Sequence, residues 1–174
     1  MFLAAKHAFK PIGAPKLHEI ANRLLNDGVQ DDDLVSICLA DDINADSITV
    51  AFEAFLRTCN TSIPDRDSAV WTILKYYVTQ IADRSNDPLV ATRNLIVDIF
   101  NEYDFQSQSI EHLGDSHRIQ HLVGLYYAHD DMLERPQEVS CNGQFGADGI
   151  AELKKELVLA AQTWLTGLDS SNTG

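Results

Sequence analysis

The side chains best placed for chemistry lie in residues 116–136, SHRIQHLVGLYYAHDDMLERP. His129 stands next to Asp130, a combination able to hold a divalent metal or to move a proton. His117 and His121 are four apart, a spacing that on a helix sets two imidazoles on one face. On a helical wheel at about 100° per residue, Ile119, Leu122, Val123, Tyr126 and Leu133 form one apolar stripe, and Asp130 falls on it. A carboxylate there must hydrogen-bond, pair with a cation such as Arg118 or Arg135, take up a proton, or end the helix near Ala128. Two readings follow: a structural aspartate, or a pocket whose binding residues are Asp130, His129, His117, His121, Tyr126 and Tyr127.

A metal shared by His117 and His121 needs a third ligand. Asp131 is not it, because it lies about 15 Å from His121 along a straight helix. Arg118 follows His117 where the zincin pattern HExxH requires glutamate. The plainer reading is a solvated face, on which His117, His121, Gly124, Ala128 and Asp131 fall together. The octet LYYAHDDM resembles the HD phosphohydrolases, whose histidine-aspartate pair binds a divalent metal. That resemblance implies metal ligands at His129 and Asp130, with His112 available as the upstream histidine and Asp169 as the downstream aspartate. The sequence departs from the family after Asp130, where Asp131-Met132-Leu133-Glu134 replaces a short glycine turn. Outside this alternative no catalytic residue, metal ligand or cofactor is expected, since GxSxG, Walker, GxGxxG and CxxC patterns are all absent. Gly143, Gly146 and Gly149 read as turn residues. Asp31-Asp32-Asp33 and Asp41-Asp42 lack the alternation and glycine of a calcium loop and read as caps and solvated charge.

Composition narrows the partners. The chain has 174 residues, 45% apolar, with 26 acidic against 13 basic residues and a formal charge of −13. Such a charge repels phosphate backbones and anionic lipid and attracts a basic protein. Lys154-Lys155 is the only adjacent basic pair, so no nucleic-acid patch arises. MFLAAKHAFKPIGAP has too few apolar residues before Lys6 for a secretory signal, and the expected compartment is the cytoplasm. Three cysteines, an odd number, fit reduced thiols, with Cys38 and Cys59 expected inside apolar faces and Cys141 on a loop.

The elements that must position these residues read as helices. Leu17, Ile20, Ala21, Leu24 and Leu25 follow helical spacing between Pro15 and Gly28. Asp31-Asp32-Asp33 precede LVSICLA, which fits a second helix or a buried strand from Leu34 to Leu39. A third helix, capped by Asn44 or Asp46, carries Ile48, Phe52, Phe55 and Cys59 on one face. A fourth runs from the Pro64 turn through Val70, Trp71, Leu74, Tyr77, Val78 and Ile81. Asp87-Pro88 starts a fifth, bearing Leu89, Ile96, Ile99, Phe100 and Tyr103. Asp115 or Ser116 begins the sixth, and Asp148 introduces a last helix through Ile150, Leu153, Leu157 and Trp164. The expected fold is all-α: an irregular antiparallel bundle or stacked helical hairpins of about seven helices. One domain is expected over 1–174, with frayed ends at 1–14 and 169–174.

These features favour a binding module over an enzyme. In outline, and in DPLVATRNLIVDIFNEYDF followed by a polar link and another helix, the chain resembles the small acidic helical proteins that bacteria encode beside secreted toxins as immunity factors. The resemblance implies a non-enzymatic inhibitor of a basic partner and assigns no functional residue. The competing expectation is a metal-dependent phosphohydrolase built on His129-Asp130.

Overall fold

A computed structural model of the chain describes residues 1–41, 45–105 and 117–171. Among the described residues the fold is all-α, relieved only by a two-strand hairpin, and no helix is long and apolar enough to cross a membrane. Contacts divide the chain into two compact units, Met1–Ile73 and the part from Leu74 onward.

The first unit holds α1 (Phe2–Phe9), α2 (Ala14–Asn26), α3 (Asp32–Leu39), α4 (Ala45–Thr58) and the beginning of α5 (Arg66–Ala82). Pro15 sits in the first turn of α2, and Gly28 takes φ +91° just past its end, the left-handed conformation that glycine adopts without steric cost. Asp31 caps α3 by accepting the Asp33 and Leu34 amides at 2.9 and 3.2 Å. With that cap and two more acids in the first turn, LVSICLA is helix rather than strand. The helices α2, α3 and α4 pack on one another around Leu17, Leu34, Ile37, Ile48 and Phe52.

Residues 1–14 are the N-terminal segment expected to fray. They carry α1, whose Ala4 and Ala5 are fully buried, because their short side chains let the helix backbone approach the core closely. His7 fixes the exit from α1: its Nδ1 accepts the Ile12 amide at 3.3 Å, and its ring meets Phe52 edge-on at 5.4 Å. The Arg66 guanidinium lies over the Phe9 ring at 5.2 Å. Cys59 also departs from its expected place. The helix α4 ends at Thr58, so Cys59 leaves the Phe52 and Phe55 face and is exposed, while Cys38 is half-buried. The proposed cap Asn44 lies outside the described residues.

The second unit contains the rest of α5, then α6 (Pro88–Leu95), α7 (Gln120–Glu134), β1 (Ser140–Cys141), β2 (Gln144–Phe145) and α8 (Gly146–Ser171). Asp87 caps α6 through the Leu89 amide at 2.9 Å and also receives the Lys154 ammonium at 2.5 Å, joining the start of α6 to α8. Past Leu95 the helix widens into a π-turn, Ile96–Phe100. Tyr77, buried on α5, donates a hydrogen bond from its hydroxyl to Asp98 of that turn. The strands pair Ser140 with Phe145 and Cys141 with Gln144 around Asn142-Gly143. Both turn residues have positive φ, 49° and 77°, as a two-residue hairpin requires. The helix α6 packs on α7 and α8, and α7 on α8. Residues 169–171, expected to fray, belong to α8 in this structure, while 172–174 lie outside the described residues.

Candidate functional site

Helix α7 begins four residues later than the sequence suggests. Arg118 adopts φ +57°, which a right-handed helix cannot contain, and Ile119 occupies the cap position. His117 is therefore outside the helix. It is buried, with its ring edge-on to Tyr103 at 5.7 Å and Phe105 at 5.2 Å, and its carbonyl accepts the Trp164 indole N–H at 2.7 Å. His121 is on α7 and exposed. The two imidazoles do not share a face, and the metal reading for His117 and His121 falls with the helical register it assumed.

The buried side of α7 is carried by Leu122, Leu125, His129 and Met132, with Val123 and Tyr126 beside them. This three-four-three spacing keeps to one side of the helix, about a quarter-turn round from the 3.6-residue stripe read from the sequence. Met132, rather than Leu133, enters the core; Leu133 is 58% exposed. Asp130 moves with Leu133. Its side chain is 51% exposed, so the expectation of a carboxylate trapped on the apolar stripe is corrected. The helix also continues to Glu134 and does not stop near Ala128.

His129 remains partly enclosed, its side chain 17% exposed, with Nδ1 3.2 Å from Asp130 Oδ1. Tyr126 lies beside it with ring centroids 6.2 Å apart, and Tyr126 meets Tyr127 edge-on at 6.0 Å. On the outer side, Tyr127, Asp130, Asp131 and Glu134 are exposed together. Asp131 pairs with Arg135 at 3.2 Å across one helical turn. The structure thus brings together His129, Asp130, Tyr126 and Tyr127, and leaves His117 in the core and His121 on another side of the helix.

Among the described residues, no three histidine, cysteine, aspartate or glutamate side chains converge as a metal site would require. His112, the upstream histidine of the phosphohydrolase alternative, lies outside the described residues, and the side chain of Asp169 is likewise not described. What the α7 face can do chemically is present an exposed phenol, carboxylates and one partly enclosed imidazole to a cationic surface.

The sequence reading passed over the tyrosine-aspartate pair beneath the π-turn. Burial, then the Asp98 hydrogen bond and charge, push the Tyr77 phenol far above the usual tyrosine range. Asp98 lies near the middle of DPLVATRNLIVDIFNEYDF, but nothing in its spacing from Tyr77 announces the contact. No protein-family model, curated protein or solved structure matches this chain.

Proposed function

We propose that the chain is a non-enzymatic protein-binding module that neutralises a basic protein partner, in the manner of a bacterial immunity or inhibitor protein acting in the cytoplasm. The observation that carries this reading is the formal charge of −13. The outer face of α7 supports it locally, since Tyr127 is 49% exposed beside Asp130, Asp131 and Glu134. Carboxylates at that spacing meet lysine and arginine side chains, and an exposed tyrosine adds cation–π contact and apolar area. Long-range attraction at this charge speeds encounter with a basic surface and weakens with salt, while phosphate backbones and anionic lipid are repelled.

The test is capture on immobilised protein followed by identification of what elutes as salt is raised. A basic protein released at moderate salt, and held less well by Asp130→Asn or Glu134→Gln, supports the reading. Retardation of DNA or RNA at physiological ionic strength contradicts it. A stoichiometric divalent metal in the purified protein, lost on His129→Ala, would instead support the phosphohydrolase alternative.

A further inference from the structure

Helix α3 buries Leu34 and Ile37 on one side and turns Asp32, Val35, Ser36 and Leu39 outward. Leu39 is 80% exposed and Val35 is 41% exposed, one helical turn apart. A shallow groove runs beside Val35, between the end of α2 and the start of α3, lined by Leu25, Val29, Gln30, Asp31, Asp32 and Val35. Leu25, Val29 and Val35 give it aliphatic side chains, polar atoms make up the larger part of its surface, its only charged residues are two aspartates, and no basic side chain lines it. Leu39 extends the apolar strip along α3. Isolated exposed aliphatic residues are ordinary, whereas here two of them lie one helical turn apart, in line with a groove edged by carboxylates.

Charge selects among the occupants. A second copy of the chain would bring another −13, and nucleic acid or anionic lipid would set phosphates against Asp31 and Asp32. We infer that this groove docks a basic amphipathic segment of another protein. An aliphatic side chain of that segment enters between Leu25, Val29 and Val35, and lysine or arginine side chains meet Asp32 at the rim. The inference rests on the basic-partner reading and adds to it a second surface, in the first unit, where apolar burial supplements charge. Asp31 contributes its negative charge while one of its oxygens remains committed to the α3 cap.

The probe is a fluorescently labelled amphipathic peptide of leucine and lysine, with a second peptide in which serine replaces every leucine. Anisotropy gives the affinity of each for the full chain, and backbone NMR shifts locate the contact. The leucine peptide is expected to bind tighter than the serine peptide by about tenfold or more, with shifts centred on residues 25–39. The double substitution Val35→Ser with Leu39→Ser should remove that advantage, and Asp32→Asn should weaken binding and flatten its salt dependence. Val50→Ser, an exposed position on α4, serves as the control and should change nothing. These side chains are exposed, and circular dichroism verifies that the variants remain folded. Equal affinity for both peptides, or leucine-peptide binding unaffected by the groove variants, overturns the groove. If that binding instead responds to Asp130→Asn, the basic-partner reading survives it. Absence of binding by either peptide overturns both.

Discussion

Two glycines, each inside a helix, should respond to the same substitution with opposite signs. Gly149 lies in the first turn of α8 and is buried against the α7 seam and the hairpin. A Cβ built there falls 2.4 Å from Met132 Cε, 2.6 Å from the Gln144 carbonyl oxygen and 3.1 Å from its carbon. The methionine end can swing aside, but the Gln144 carbonyl belongs to β2 and moves only with the hairpin backbone. Overpacking of this kind costs roughly 1–3 kcal/mol, against a helix-propensity gain of about 1 kcal/mol for alanine over glycine. Gly149→Ala should therefore destabilise by up to about 2 kcal/mol. Gly124, in the middle of α7, has nothing within 4 Å of its built Cβ and is exposed, so Gly124→Ala should stabilise by about 0.5–1 kcal/mol. Urea unfolding followed by far-ultraviolet circular dichroism reads both as shifts in midpoint at constant slope. In a Met132→Ala background Gly149→Ala should still destabilise relative to Met132→Ala alone, because the Gln144 carbonyl remains in place. A stabilising Gly149→Ala, or no such loss in the Met132→Ala background, would refute the account of how the hairpin is seated on α8.

Exposure of Asp130 means that Asp130→Ala and Asp131→Ala should each change stability by no more than about half a kcal/mol in urea titration; a loss above about 1 kcal/mol at Asp130 would return it to the buried stripe. Tyr77→Phe removes a hydrogen bond to a carboxylate and should cost about 1.5–3 kcal/mol, measured the same way. In an alkaline ultraviolet titration, Tyr77 should ionise well above the usual tyrosine range. Since its folded pKa is raised, its contribution is complete below the ordinary tyrosine value near 10 and disappears as pH rises above it, so Tyr77→Phe should lessen alkaline destabilisation. In the native protein Cys59 should react with a thiol reagent before Cys141, whose thiol is held above its usual pKa by burial and by Glu156 and Glu152. Faster labelling of Cys141, read by mass spectrometry, would count against that order.

The helical class was legible because amphipathic period and end signals agree over most of the chain. Pro15 and Gly28 bracket α2, Asp31 caps α3, and Asp87-Pro88 opens α6, each through local chemistry that needs no distant partner. Helix α1 lacked such signals: it has no capping side chain, and of its buried residues Ala4, Ala5, His7 and Phe9 only the last is a large apolar group. The hairpin did have a signal, Asn142-Gly143, the strongest short-range marker of a two-residue turn, but it stood within a segment read as one loop. The π-turn depends on packing around Ile96 and Ile99 and on the Tyr77 contact, neither of which has a local pattern.

The candidate site was legible in its residues but not in its orientation. A 3.6-residue wheel started at Ile119 places Asp130 and Leu133 inward, whereas the side that Leu122, Leu125, His129 and Met132 bury lies about a quarter-turn round from that stripe, which exchanges Leu133 for Met132. The exchange alters the chemistry assigned to Asp130. A buried carboxylate must be satisfied from within the fold, whereas an exposed one keeps its charge and can meet a partner. With Asp130 outside, its negative charge joins those of Asp131 and Glu134 beside Tyr127. The residue that looked like a conflict within the core is thereby consistent with the acidic balance of the whole chain, and the proposed basic partner would meet both.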